Sequence, residues 1–328
     1  MKKISIIIPV YNVEKYIKKC INSALNQNLN SNEYEIIVVD DESPDNSVTI
    51  IKELMLNNSQ ISLYSQKNKG LGGARNTGIT NATGKYILFL DADDNLVENS
   101  LNTIINYSIS NNLDILEFGA NGTNENGDIL YTKSKNTSKI SNGYTYLSKN
   151  QYMNSACNKL YSLEFIKRNN LLFKERIFIE DFEFNTRAYY FANRVIGINT
   201  IVANFVQTSN SITRNNNPQK NKKMIFDIKN VIDLTIVFAK SIPKEEVSNL
   251  KIINERISFL SSTILYLIFK LNINKKVRLE IINALKKIEL YPNKVKINDP
   301  KKNIFRVLVN NNLFYNNLCN FKNKITSY

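Results

Sequence analysis

Histidine is absent from all 328 residues of this chain. That removes the commonest general base and the commonest transition-metal ligand together. Proton transfer then falls to carboxylates or rarer groups, and any metal site is built mostly from oxygen. Cysteine is nearly absent too, and Cys20, Cys157 and Cys319 form neither a C-x-x-C nor a finger spacing. An odd, scattered set argues against a disulfide framework and suits a reducing compartment. Long apolar runs are also missing. No segment reaches the roughly 18 to 20 apolar residues needed to span a bilayer. The nearest, "ISFLSSTILYLIF" at 257–269, is bounded by Arg256 and Lys270 and reads as a buried helix. The opening "MKKISIIIPVYN" has too short an apolar run for a signal peptide and reads as a first strand.

What is present is enough apolar residue, 43%, for a packed core, in one large domain or two ordinary ones. Net charge is +14 and unevenly spread: from Lys220 onward 21 basic residues face 8 acidic ones, leaving the first 219 residues almost neutral. Over residues 1–120 strands and helices alternate. "KISIIIPVY", "YEIIVVDD", "ISLYSQ" and "YILFLDADD" read as strands. Between them, Val13, Tyr16, Ile17, Cys20, Ile21, Ala24 and Leu25 share a helical face, and "DNSVTIIKELML" and "GGARNTGITNA" follow as helices. Repeated βαβ units predict an α/β fold, a mainly parallel sheet flanked by helices. A further helix over 99–111, a strand at "LDILEFG" and loops or a short hairpin over 121–145 are expected next. "RNNNPQKNKK" at 214–223 is the linker candidate, and a mostly helical, basic region follows. This gives domains at 1–215, its two halves meeting at about 120, and 216–328.

In an open parallel sheet, ligands bind beyond the carboxyl ends of the strands. Three strands here end in "PVYN", "DDESPDNS" and "DADDN", which would share one rim. Tyr11 offers a ring for stacking on a base, and Asp40 an acceptor for an imide N–H. Asp41 and Asp45 also suit turns and caps. In "KNKGLGGARNTGI", Gly70, Gly72 and Gly73 permit close backbone approach and Arg75 suits a phosphate or base oxygen. These glycines follow the third strand, so the dinucleotide fingerprint, which follows the first, is excluded; no P-loop occurs either. Asp91, Asp93 and Asp94 crowd one strand end. Two such charges about 4 Å apart repel by roughly 4 kcal/mol at an effective dielectric near 20. Mg²⁺ or Mn²⁺ on Asp91 and Asp93, completed by diphosphate oxygens and water, would relieve that repulsion. Asp94 suits the following turn.

The order "SIIIPVYN", "IIVVDDESPDNS", "NKGLGGARNTGI", "YILFLDADD" and "FIEDFEF" resembles the family-2 glycosyltransferases of GT-A fold over residues 1 to about 215. The resemblance implies inverting transfer of a sugar from a nucleotide diphosphate donor, usually a uridine one, with a divalent metal. It places Pro9, Tyr11, Asp40, Asp41 and Arg75 on the nucleotide, Asp91 and Asp93 on ribose and metal, and the acid pair on Glu180 and Asp181. Asp181 is then the general base, a role the absence of histidine also favours; a plain helix-capping role for the pair is compatible with it. The chain departs from the family at Glu42, where Gly or Cys is common, and in "ANFVQTSNSITR", where relatives carry aromatics and arginines. It has no Q-x-x-R-W and no tryptophan, which points to transfer of single sugars rather than polymerisation. "NSACNKLY" at 154–161 is the acceptor-side candidate.

The reading is a metal-dependent glycosyltransferase acting on a glycan or lipid-linked glycan of a bacterial surface polysaccharide, at the cytoplasmic membrane face. A sugar nucleotidyltransferase is the enzyme alternative, although its N-terminal phosphate loop is replaced by "PVYNVEKY". A non-catalytic basic binding module is the other. The basic C-terminal region reads as a solvated helical face or an anionic-membrane surface; no nucleic-acid motif accompanies it.

Overall fold

The computed structural model describes residues 2–137, 139–150, 153–208, 217–296 and 300–326. The chain divides into two compact units, Met1–Thr208 and Ser209–Tyr328.

In the first unit, β1 (Ile4–Val10) and β2 (Tyr34–Asp40) are buried along their whole length, as their unbroken apolar runs require. They pair in parallel from Ile4↔Tyr34 to Val10↔Asp40, with β3 (Ile61–Ser65) parallel outside β2 and β4 (Tyr86–Phe89) parallel outside β1. Helix α1 (Ile17–Leu25) turns Ile17, Cys20, Ile21 and Ala24 into the core at i, i+3, i+4, i+7 spacing. Each fully buried isoleucine contributes about 1.5–3 kcal/mol. α2 (Ser47–Met55) and α3 (Gly70–Asn81) complete the crossovers. The carboxyl ends of β1, β2, β3 and β4 therefore form one rim.

Beyond β4 the sheet changes character. β5 (Asn95–Leu96), α4 (Leu101–Ser110), β6 (Ile115–Thr123), β7 (Ile129–Lys133), α5 (Gly143–Lys149), β8 (Lys159–Ser162), α6 (Leu163–Arg168), α7 (Glu180–Phe191) and β9 (Val195–Val206) follow in chain order. The strand order is β3-β2-β1-β4-β8-β6-β9-β5, and β7 forms a hairpin on β6. β6 and β9 run parallel, whereas β8 is antiparallel to both β4 and β6. The sheet is thus mixed, its expected parallel part concentrated in the first four strands. The reversal of β8 has a consequence for the site: Leu160 lies opposite Leu88, so the residues entering β8 arrive where β4 leaves.

The second unit contains α8 (Pro218–Ser241), α9 (Val247–Lys270), α10 (Lys275–Lys287), α11 (Pro300–Val309) and α12 (Asn312–Thr326). The linker expected over 214–223 is corrected from 218 onward, because Asn217 accepts N–H bonds from Gln219 and Lys220 and Pro218 opens a helix. Residues 214–216 of that candidate, and 209–214 of "ANFVQTSNSITR", lie outside the described residues. By length and composition α9 is apolar enough to cross a membrane, yet 61% of its apolar window is buried within the structure. Asn293 fastens α9 from outside its ends, donating to Ser258 O, Ser261 Oγ and Ser262 Oγ.

Candidate active site

Where β4 ends, Leu90 N donates to Ile7 O and the chain folds into a turn closed by Asp94 N on Asp91 O at 2.9 Å. Asp94 is buried and its Oδ1 accepts the Val206 N–H at 2.7 Å, fastening the turn to β9. Asp91 stays 32% exposed. Burial, then the charge of Asp91, push the Asp93 carboxyl up to about 6. The same causes, joined by Asp93, raise Asp94 well above the usual carboxylate range. The turn is therefore short of positive charge.

One cation meets it. Arg75, projecting from the second turn of α3, is 1% exposed and donates Nη2 to Asp91 Oδ1 at 2.8 Å. Its Nη1 donates to Glu180 Oε1 at 2.9 Å and to Asp181 Oδ1 at 2.6 Å, and Nη2 also lies 3.5 Å from Cys157 Sγ. The guanidinium rests over the Phe173 ring, 5.2 Å from its centroid. That apolar floor lowers the local dielectric and strengthens each pairing. Arg75, expected to meet a phosphate or base oxygen, gives its terminal N–H groups to three carboxylates in this structure. Among the described residues its Nε has no hydrogen-bond partner.

Glu180 and Asp181 begin α7. The residue before them, Ile179, has φ 58° and ψ 29°, a left-handed conformation that a β-branched side chain adopts only under strain. This kink aims both acids at Arg75. Asp181 is also held from β8's approach, where Ala156 N donates to Oδ2 at 2.9 Å. The segment 154–161, expected on the acceptor side, thus supports the acid, and the buried Lys159 ammonium ties it together through Met153 O, Ser155 O and Asn158 Oδ1. Burial and the Asp181 charge push Glu180 up to about 7, against the pull of Arg75. Asp181 is raised as well, chiefly by burial. Its side chain is 21% exposed against 9% for Glu180, so Asp181 is the more reachable acid.

Around this group the rim is mostly structural. Tyr11 is 53% exposed beyond β1, its ring open to a stacking partner. Pro9 is buried within β1, past the last residue paired with β4. Asp40 accepts from Ser43 N at 3.0 Å. Asp41 is buried and engaged by Gln66 Nε2 and Lys69 N, so in this structure it braces the loop entering α3. Asp45 accepts the Glu14 and Ser47 N–H groups, the turn-and-cap role open to it from sequence. Glu42 has φ 68°, which explains the glycine preference at its position, and its Oε2 accepts Asn68 N. Gly72 was expected to admit a ligand; a Cβ there would stand 2.4 Å from Lys174 O, so protein backbone makes the close approach. Cys157 and Ile179 were missed from sequence, where neither spacing nor residue type marks them.

The donor set fits a hard divalent cation. Asp91 and Asp93 present oxygen ligands beside each other, the Asp93 carboxyl pushed up to about 6 by burial and by the charge of Asp91. Among the described residues no group of three or more ligating side chains forms a closed cage. Two carboxylates leave positions for phosphate oxygens and water, the usual arrangement for Mg²⁺.

The chain as a whole is similar to known proteins. The model of the family described as glycosyl transferase family 2 matches residues 5–169. The chain is 33% identical over 221 residues to the uncharacterized glycosyltransferase EpsJ of Bacillus subtilis, covering 64% of this chain and 62% of that protein. It is 30% identical over 197 residues to the poly(ribitol-phosphate) beta-N-acetylglucosaminyltransferase TarS of Staphylococcus aureus, covering 60% of this chain and 34% of TarS. The chain thus spans less than two thirds of the length of these relatives. In three dimensions it is similar to TarS 1–349 in complex with UDP-GlcNAc, with TM-score 0.57 and 21% identity over 88% of this chain and 90% of that one. It is also similar to the mannosyltransferase PcManGT of Pyrobaculum calidifontis in complex with GDP-Man and Mn²⁺, with TM-score 0.55 and 14% identity over 98% and 86%. At these identities the structural likeness concerns the fold.

Proposed function

The chain belongs to glycosyl transferase family 2, and we propose that it moves a single sugar, with inversion, from a uridine diphosphate donor to a hydroxyl of a bacterial surface glycan. The observation that carries this is the meeting of Asp91 and Asp181 on one guanidinium. It joins the carboxylate on the leaving-group side to the carboxylate suited to take a proton. The names of TarS and of its complex with UDP-GlcNAc support the donor and acceptor classes.

Asp181 accepts the acceptor hydroxyl's proton as that oxygen bonds to the anomeric carbon. The bond from that carbon to the diphosphate breaks on the opposite face, and the electron pair leaves with the diphosphate. Arg75 and the Ala156 N–H favour the ionised form of Asp181 against the burial that raises its carboxyl, and fix its direction. Asp91 and Asp93 would hold Mg²⁺ or Mn²⁺, which supplies charge stabilisation for the departing diphosphate. Tyr11 stacks on the base, with Asp40 near it to accept its imide N–H.

Calorimetric titration with uridine diphosphate, with and without Mn²⁺, tests the reading on the native chain and on Asp93→Ala. Metal-dependent binding that the variant loses is the expected result. Binding of guanosine or thymidine diphosphate in its place overturns the donor class. No binding of any nucleotide overturns the enzyme. The anomeric configuration of the product, read by proton NMR, decides inversion.

A further inference from the structure

Helices α11 and α12 each carry two apolar faces. On α11, Phe305 packs edge-on against Tyr266 at 5.6 Å and Val309 is fully buried. On α12, Tyr315 is fully buried, with its hydroxyl on Leu265 O at 2.7 Å, and Cys319 lies beside it. These are the inward faces. The opposite side of a surface helix is ordinarily polar. Here Ile304, Val307 and Leu308, at i, i+3, i+4 spacing, are exposed, Ile304 by 63%. On α12, Leu313, Phe314 and Phe321 are exposed, by 75% and 65% for the first and last, with the half-buried Leu318 on the same side. Clustered apolar exposure of this kind marks a contact surface.

Charge selects the occupant. From Lys220 onward the chain has 21 basic residues against 8 acidic ones. In the loop that leads toward α11, Lys294 and Lys296 are exposed on either side of Val295, itself partly exposed. A second copy would bring the same positive excess to the face and be repelled. A nucleic acid would answer the charge and leave the phenylalanines and leucines without a partner. A bilayer with anionic headgroups answers both at once, lysines at the headgroups and apolar side chains at the acyl boundary. We infer that the outward faces of α11 and α12 form an attachment surface for an anionic phospholipid bilayer.

Flotation of the full chain with vesicles tests this without donor or acceptor, so its result is independent of the reaction proposed above. Vesicles of phosphatidylcholine containing about a third phosphatidylglycerol should retain about tenfold more protein than phosphatidylcholine alone. Salt at about 1 M, where the Debye length is about 3 Å, should release much of it. The triple variant Val307→Ser, Phe314→Ser, Phe321→Ser should lose binding with its circular dichroism and melting temperature intact, because all three side chains are exposed. The pair Lys294→Glu, Lys296→Glu should weaken binding several-fold. Failure of the native chain to float, or binding that survives either set of substitutions, overturns the inference. So does a dimer in sedimentation analysis that the triple variant dissolves, since the face would then be covered by a second copy.

Discussion

Arg75 Nη1 lies 2.6 Å from Asp181 Oδ1, although 106 positions separate the two residues. Through the same guanidinium Asp181 is joined to Glu180 and Asp91. Removing that cation leaves three carboxylates facing one another at a mostly buried site. Arg75→Met should therefore destabilise the fold by about 3–5 kcal/mol. Arg75→Lys should recover only part of this, because an ammonium lacks the planar fork that reaches several acceptors. Urea unfolding checks both, and acid should narrow the gap to the native chain by protonating the abandoned acids.

Asp181→Asn keeps the shape of the site and removes its base. Turnover should fall roughly a hundred- to ten-thousandfold. Donor affinity should hold, since Asp181 is engaged by Arg75 and Ala156 N rather than lying in the turn at Asp93. Loss of the Asp181 charge also removes a cause of the raised Glu180 carboxyl, which should titrate lower in the variant. Steady-state kinetics beside donor calorimetry separate the two effects.

Much of this arrangement was legible before any coordinates. Unbroken apolar runs such as "SIIIPV" announce strands buried on both faces, and the apolar spacing from Ile17 to Ala24 admits one helix face only. The acids at 91–94 stand out because like charges crowd together without a local counter-ion, and Glu180 and Asp181 through the family resemblance. That a side chain also brings positive charge to these acids was not legible. Arg75 sits in a glycine-rich stretch that suits a phosphate equally well, and only the antiparallel return of β8 and the kink at Ile179 bring these carboxylates to it. Such long-range pairings leave no periodic trace in a sequence. Gly72 is legible only in part for a related reason: a glycine reports that something comes close and is silent about what.

The raised carboxyls make stability depend on pH in a definite direction. Asp93 moves from 3.8 to about 6 and Glu180 from 4.5 to about 7. The folded chain thus holds protons that the unfolded chain releases between about pH 4 and 7. Stability is then present below that window and lost as pH rises through it. Asp93 alone should account for something on the order of 3 kcal/mol. Melting temperatures between about pH 4 and 8 should decline without metal. Asp93→Asn should flatten its share of the slope, and Mg²⁺ or Mn²⁺ should restore stability at the alkaline end. Activity should run the opposite way, rising as Asp93 and the acid pair ionise.

Gly72→Ala decides what the glycine-rich start of α3 is for. If its openness served a phosphate, alanine would weaken donor binding and leave the fold alone. The structure instead places the added methyl 2.4 Å from Lys174 O and 3.1 Å from Phe173 Cβ, both parts of the protein's own packing. Alanine's better helix propensity recovers about 1 kcal/mol, and a clash with a backbone carbonyl that has no rotamer to escape through outweighs it. A net loss of about 1–3 kcal/mol is expected, in the range for overpacking. Because Arg75 follows one turn later on the same helix, turnover should fall with stability. Melting temperature and donor affinity, measured on one preparation, distinguish the cases: unchanged melting with weakened donor binding would return Gly72 to the phosphate.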